Sequence, residues 1–311
     1  MSELKNQNKE QFRNYDLRQR DCYKNLKVPE NAVIPTQDEG AWEYFTTHRW
    51  VYNKLDVALS QEIICGPMGV DPEKFPVFMK PIINMHGMGL GSKLLKTRED
   101  YENNRHFSGY FWMEFLEGEH LSYDIVLQNG EVVFTVIFKG HPLAEGMFDS
   151  WEISEADEKI SAHVTQWVGK HFKDFSGCIN IETINGKIIE CHLRMGDIDA
   201  LSDLELMQNI INVYSGIPWK FTKKISDFYL FPIWGDNSIK YELDEKKARE
   251  LCEDLEYYDL ESTDNNPPGG IRLAVIGSYN KEKCLSKRKE LSECFNPLPR
   301  VLSLIQIDSA N

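Results

Sequence analysis

No stretch of this chain approaches the ~20 consecutive apolar residues that cross a bilayer, and the mean hydropathy is -0.45. No membrane partner is expected. The segment MSELKNQNKEQFRNY is polar throughout and has no apolar stretch of secretory-leader type, so a cytoplasmic location is the expectation. Basic charge is short as well: 35 Lys and Arg stand against 49 Asp and Glu, for a net charge of -14. Nucleic-acid binders draw much of their affinity from neutralising phosphates, so no nucleic-acid partner is expected. The seven cysteines (22, 65, 178, 191, 252, 284 and 294) form no Cys-x-x-Cys pair, and their number is odd. They suggest neither a zinc knuckle nor a disulfide framework, and free thiols are the expectation.

What is present is enough apolar material for a sizeable core. The 311 residues are 41% hydrophobic with seven tryptophans, which suits two domains, or one bilobal domain with an appendage. Residues 1–45 are polar and mixed in charge, and are expected to form a helix and an extended arm. Asn53 to Gln61 reads as a short helix with Leu55, Ala58 and Leu59 on one side. PVFMKPII, residues 76–83, alternates as a strand. Thr97 and Asp100 form a capping-box signal for a short helix. Strands are expected over 109–116 and 121–138, with a turn at Asn129-Gly130. Ser154 with Asp157 is expected to open an amphipathic helix bearing Ile160, Val164, Trp167, Val168 and Phe172. A second hairpin turns at Asn185-Gly186, and a helix follows from Ile198 to Tyr214. Residues 240–264 carry ten acids against four bases, with Ala248, Leu251, Cys252 and Leu255 in a stripe that suits a packed helix with a solvated outer face. Residues 265–270 are a linker into the strand IRLAVIG and a last helix from Lys281.

Three segments carry chemistry. Lys80 stands inside the apolar strand, where an ammonium must reach water or meet an anion. The loop Asn84 to Ser92 follows at once, and its Gly87, Gly89 and Gly91 would let backbone amides approach phosphate. FWMEFLEGEHLSYDIVL then runs from one strand into another through a Glu-Phe-Leu-Glu-Gly turn. That turn could offer main-chain groups to an adenine edge, or it could be an ordinary connection. In the hairpin NIETINGKIIECHLR, Glu182 and Glu190 lie four residues either side of Gly186, roughly opposite and on one face. Glu190, His192 and Arg194 also share a face by alternation. Such a cluster suits a divalent cation bridging to phosphates, and equally a salt-bridged surface hairpin.

In this order, the lysine strand, glycine loop, Glu-Gly hinge and carboxylate hairpin ending in an arginine resemble the ATP-grasp superfamily over roughly residues 52–199. The resemblance implies an α+β fold: two α+β lobes with nucleotide between them, plus a C-terminal α/β appendage. The expected divisions are an N-terminal arm (1–45), a first lobe (46–112), a second lobe (113–233) and the appendage (234–311). It implies that Lys54 and Lys80 face phosphates, that Gly87, Gly89, Gly91 and Ser92 close over them, and that Glu114, Phe115 and Leu116 hold adenine. His120 falls at the ribose position. Glu182, Glu190 and His192 are the implied metal ligands, with Asn180 a rival to Glu182, and Arg194 and Lys80 the implied catalytic groups. The family's usual Glu-x-Asn reads Glu190-Cys191-His192 here. The implied activity is ATP-dependent joining of a small-molecule carboxylate to an amine or similar nucleophile through an acylphosphate, using Mg2+, with Mn2+ as the alternative. A homo-oligomer is compatible with this. A kinase on the same fold and a non-catalytic nucleotide-binding module are the other two readings.

Overall fold

The computed structural model describes residues 12–13, 26–30, 32–144, 146–260, 266–267 and 269–298. Of the arm expected over 1–45, most of residues 1–25 therefore lies outside the described residues, as do Cys22 and residues 265 and 268 of the 265–270 linker.

Along the chain, β1 (Phe12–Arg13) and β2 (Ile34–Pro35) pair in parallel, and a helix follows at Asp38–Tyr44. A 3-10 turn at Arg49–Tyr52 leads into the helix Lys54–Leu59, whose Asn53 cap accepts the amides of Leu55 and Asp56. Next come β3 (Cys65–Pro67), β4 (Val77–Pro81), β5 (Lys93–Leu95), the helix Arg98–Asn104 and β6 (Tyr110–Glu114). Their strands form a four-stranded antiparallel sheet in the order β3-β6-β4-β5. Thr97 and Asp100 do close a reciprocal capping box on the helix Arg98–Asn104. This is the first lobe, with Val77, Met79, Leu95, Tyr101 and Trp112 as its core.

The second lobe is built from β7 (His120–Gln128), β8 (Glu131–Ala144), β9 (Met147–Ile153), β10 (Gly177–Ile184) and β11 (Lys187–His192). Both Asn-Gly turns carry positive φ at both residues (Asn129 53°, Gly130 82°; Asn185 47°, Gly186 78°), the turn whose twist matches antiparallel strands. After β12 (Tyr229–Gly235) and β13 (Tyr241–Leu243) come β14 (Tyr257–Asp259), β15 (Ile271–Ser278) and β16 (Phe295–Pro297), with helices at Glu245–Cys252 and Lys281–Ser292. The large sheet runs β11-β10-β7-β8-β9-β12-β15-β14, eight strands without a break. The C-terminal segment is therefore joined to the second lobe by main-chain pairing of β9 with β12.

One face of this sheet is covered by the helix Glu158–His171, whose Val164, Trp167 and Val168 pack on Leu121, Tyr123 and Ile125. On the other face, the helix Leu204–Val213 covers Val126, Val136, Phe138 and Cys178. It covers only that end, and the opposite end of the face carries Ser122, Glu182 and Glu190. The helix Lys54–Leu59 belongs to both lobes: Val57 joins the second-lobe core and Ala58 the first-lobe core.

Two helix expectations need correction. Asp157, not Ser154, caps the helix Glu158–His171, accepting the Lys159 amide at 2.9 Å. The Ser154 amide is still tied to the Ile137 carbonyl at 2.9 Å, so the chain has not yet left the sheet. The helix expected over 198–214 is two pieces, a 3-10 turn at Ile198–Leu201 and the helix Leu204–Val213. Ser202 between them is left-handed at φ 52°, and Asp203 caps the second piece through the Glu205 and Leu206 amides. Local capping there overrides a continuous apolar period.

Candidate nucleotide and metal site

The end of this sheet face beyond the helix Leu204–Val213 is set by strand register. β10 pairs with β11 so that Glu182 is opposite Glu190 and Asn180 opposite His192. β10 pairs with β7 so that Asp124 is opposite Asn180 and Ser122 opposite Glu182. Alternation then puts all six side chains on one face. One ligand atom from each of Glu182, Glu190 and His192 lies within 4.8 Å of the others. Two carboxylates and an imidazole fit a divalent cation: the oxygens suit a hard ion, and the nitrogen suits first-row transition ions.

The first lobe contributes two lysines. Lys54, at the start of its helix, pairs with Glu190 Oε2, and the Lys80 ammonium donates to the Ile189 carbonyl at 2.8 Å. Both lysines are buried. Burial, and then the neighbouring Lys54 charge, bring Lys80 down to about 7. Burial alone would raise the Glu190 carboxyl, but Lys54 and the neighbouring His192 outweigh it and hold the carboxyl well below its usual range.

Behind His192 stands Asp38, from the helix Asp38–Tyr44. Its oxygens lie 3.0 and 3.1 Å from His192 Nδ1, while Tyr52 donates its hydroxyl at 3.1 Å. Arg194 Nε approaches Asp38 Oδ1 to 3.0 Å, and a further guanidinium nitrogen donates to the Met195 carbonyl at 2.9 Å. Burial disfavours charge on both Asp38 and His192, yet their mutual attraction prevails. At Asp38 the Arg194 charge is the larger attraction and holds the carboxyl far below normal, while Asp38 raises His192 to about 9. Asp124 is fully buried. It accepts the amides of Gly196 at 2.6 Å and Ile198 at 2.9 Å, and so fixes the turn just after Arg194. Burial, with the nearby Asp197 charge, raises Asp124 to about 7.

Of the remaining sequence candidates, His120 adjoins this cluster. His120 Nε2 sits 3.0 Å from Glu182 Oε2, with its ring edge-on to Phe148 and Trp151. Glu114 is tied back to the first lobe, its amide on the Ile64 carbonyl at 2.8 Å. Phe115 is 37% exposed, and Leu116 packs partly into the core that Ile189 shares. In the glycine loop, Gly87, Gly89 and Gly91 all have positive φ, and Ser92 donates its amide to the Gly89 carbonyl at 3.0 Å. A Cβ on Gly89 would lie 3.9 Å from Gly146 Cα, so the loop spans from the first lobe to the β8–β9 turn.

Asp38, Tyr52 and Asp124 were not among the sequence candidates. Asp124 carried a signal, a carboxylate inside the apolar run YDIVL, of the same kind that marks Lys80. Asp38 carried none, because its partner His192 is 154 positions away.

No protein-family model matches the sequence, and no curated protein matches it. Solved structures do match in fold. An L-amino acid ligase from Bacillus licheniformis superposes with a TM-score of 0.57 at 13% identity, over 85% of this chain and 77% of that one. N5-carboxyaminoimidazole ribonucleotide synthetase from Thermotoga maritima gives 0.56 at 15% identity, over 86% and 82%. Phosphoribosylamine–glycine ligase from the same organism gives 0.58 at 13% identity, over 87% and 84%. With its two lobes, and with lysines from one meeting a carboxylate hairpin of the other, the chain has the bilobal ATP-grasp fold seen in these ligases.

Proposed function

We propose that the chain is an ATP-dependent ligase joining a small-molecule carboxylate to an amine or similar nucleophile. The observation that carries this reading is the convergence of Lys54 and Lys80 on the β11 segment Ile189–Glu190. Two buried ammonium groups and a carboxylate pair gathered at a lobe boundary suit a polyphosphate with its counter-cation. The ligase names of the solved relatives support the same reaction class.

In this reading Lys54 and Lys80 hold phosphate oxygens, and the segment Glu114–Leu116 meets adenine with His120 near the ribose. The loop Gly87–Ser92 covers the phosphates. Glu182, Glu190 and His192 hold a divalent cation, Mg2+ or Mn2+, which when bound neutralises charge on the phosphates. A substrate carboxylate oxygen attacks the γ-phosphorus and ADP leaves. The nucleophile then attacks the acyl carbon of the acylphosphate and inorganic phosphate leaves. Positioning and electrostatics are the protein's contribution. Lys80 faces the transferring group, and Arg194, held by Asp38, orients the loop of residues that follows it and lends positive charge. The loop excludes water from the acylphosphate, which would otherwise hydrolyse.

A reducing cytoplasm suits the six described cysteines, all free, and among the described residues no helix is long and apolar enough to cross a membrane. The test is incubation with ATP, Mg2+ or Mn2+, and pooled amino acids and metabolite acids, followed by assay of ADP and phosphate. Release of both with a new amide supports the ligase. A stable phosphorylated product indicates the kinase, and ATP binding without turnover the binding module.

A further inference from the structure

Each group at the candidate cation position is held from behind by a different residue. Lys54 pairs with Glu190 Oε2, His120 Nε2 meets Glu182 Oε2 at 3.0 Å, and Asp38 grips His192 Nδ1 at 3.0 Å. A carboxylate on Nδ1 fixes the ring's orientation and makes Nε2 its working face. Nε2 is 3.9 Å from Glu190 Oε1, the oxygen that Lys54 does not take. Asp38 itself cannot swing away, because the Tyr52 hydroxyl and the Arg194 guanidinium hold it as well. The His192 side chain is 4% exposed, which leaves no room for a solvent-facing alternative. An amide side chain at this position would offer a hard oxygen. Imidazole offers nitrogen, which binds first-row transition ions better than it binds Mg2+.

We propose that Asp38 and His192 make this a mixed carboxylate–imidazole metal site, with His192 Nε2 as a ligand once the ion displaces its proton, and Asp38 as its positioning residue. The site takes Mn2+ or Co2+ in preference to Mg2+. The biological use of the ion rests on the ATP reading above, but its binding does not require turnover.

The test is pulsed electron paramagnetic resonance of Mn2+ added to the full-length protein, alone and with a non-hydrolysable ATP analogue. Directly coordinated 14N is expected in the echo modulation, and it should change to the 15N pattern when the protein is grown on 15N-histidine. His192→Asn should abolish the nitrogen coupling and weaken Mn2+ and Co2+ binding by ~10-fold or more, with a smaller loss for Mg2+. Asp38→Asn should keep some coupling but lower Mn2+ affinity ~10-fold, as loss of an outer-shell partner does. If that variant does not fold, the labelled wild type and His192→Asn carry the result. Mn2+ that fails to bind, binds without nitrogen coupling, or keeps its coupling in His192→Asn overturns the proposal. Nitrogen coupling in a protein that neither binds nor turns over ATP leaves the metal assignment standing and removes the ligase reading.

Discussion

Lys80 donates to a carbonyl, Ile189, at 2.8 Å, and burial with the adjacent Lys54 charge brings it to about 7. A bound triphosphate would favour its charged form. ATP binding at pH 8 is therefore expected to take up a proton, measured as a dependence of the calorimetric heat on buffer ionisation enthalpy. Lys80→Met should remove that uptake and weaken ATP ~10-fold or more, since a charge-assisted hydrogen bond contributes ~1.5–3 kcal/mol. An unchanged affinity in the folded variant would contradict the role. Stability without ligand has a sign that can be checked too. Between about 7 and the ordinary lysine value of 10.5 the unfolded chain binds more protons at this lysine than the folded one, so stability rises with pH across that window. Urea titrations should show the rise in the wild type and a flatter profile in Lys80→Met. Asp38 is the opposite kind of residue, a buried carboxylate neutralised by His192 and Arg194. Asp38→Ala leaves buried positive charge unpaired and should cost ~3–5 kcal/mol, seen as a lower urea midpoint. Lys80 was legible in the sequence because an ammonium in an apolar strand demands a partner. Asp38 was not, because nothing local distinguishes it from any acid in a helix's first turn.

At the scale of elements, the hairpins were legible and the joins between elements were not. Asn-Gly dictates its turn locally, but counting outward from it sets Glu182 opposite Ile189; a bulge between Glu182 and Thr183 shifts the register so that Glu182 faces Glu190. The docking of the first lobe on β11 depends instead on Gln61, an uncharged residue with no sequence signature. Its amide donates to the Ile188 carbonyl at 2.6 Å and accepts the Ile188 amide at 2.8 Å, serving the strand edge as a further strand would. Gln61→Leu strands both main-chain groups and should cost at least ~2 kcal/mol, with faster hydrogen exchange at the Ile188 amide. The glycine loop makes a different demand. At Gly91 an added Cβ would meet the Tyr110 hydroxyl at 2.7 Å, whereas Gly89 has room but a φ of +64°. Gly89→Ala should thus cost only ~1–2 kcal/mol of strain while slowing turnover more than that implies. Limited proteolysis between Asn84 and Lys93 should be suppressed by ATP with a divalent cation. Cleavage indifferent to both would mean that the loop is not a phosphate cover.

Across the whole molecule, the order of motifs was enough to anticipate the two-lobed fold, because lysine strand, loop, hinge and hairpin each sit at the lobe boundary. The continuous eight-stranded sheet was hidden, since β12, β15 and β14 join it through pairings far apart in sequence. The expected appendage, 234–311, carries β14 and β15, which lie in that same sheet. The lobes meet through Lys54, Lys80 and Gln61, and it is between them that an acylphosphate would form. The most direct measurement of that chemistry uses carboxylate substrates labelled with 18O, incubated with ATP and Mn2+ or Mg2+. Attack on the γ-phosphorus carries one carboxylate oxygen into the released inorganic phosphate, so phosphate bearing a single 18O is expected, with labelled amide as co-product. Phosphate free of label while ATP is consumed would contradict an acylphosphate pathway and leave this cleft with a different reaction.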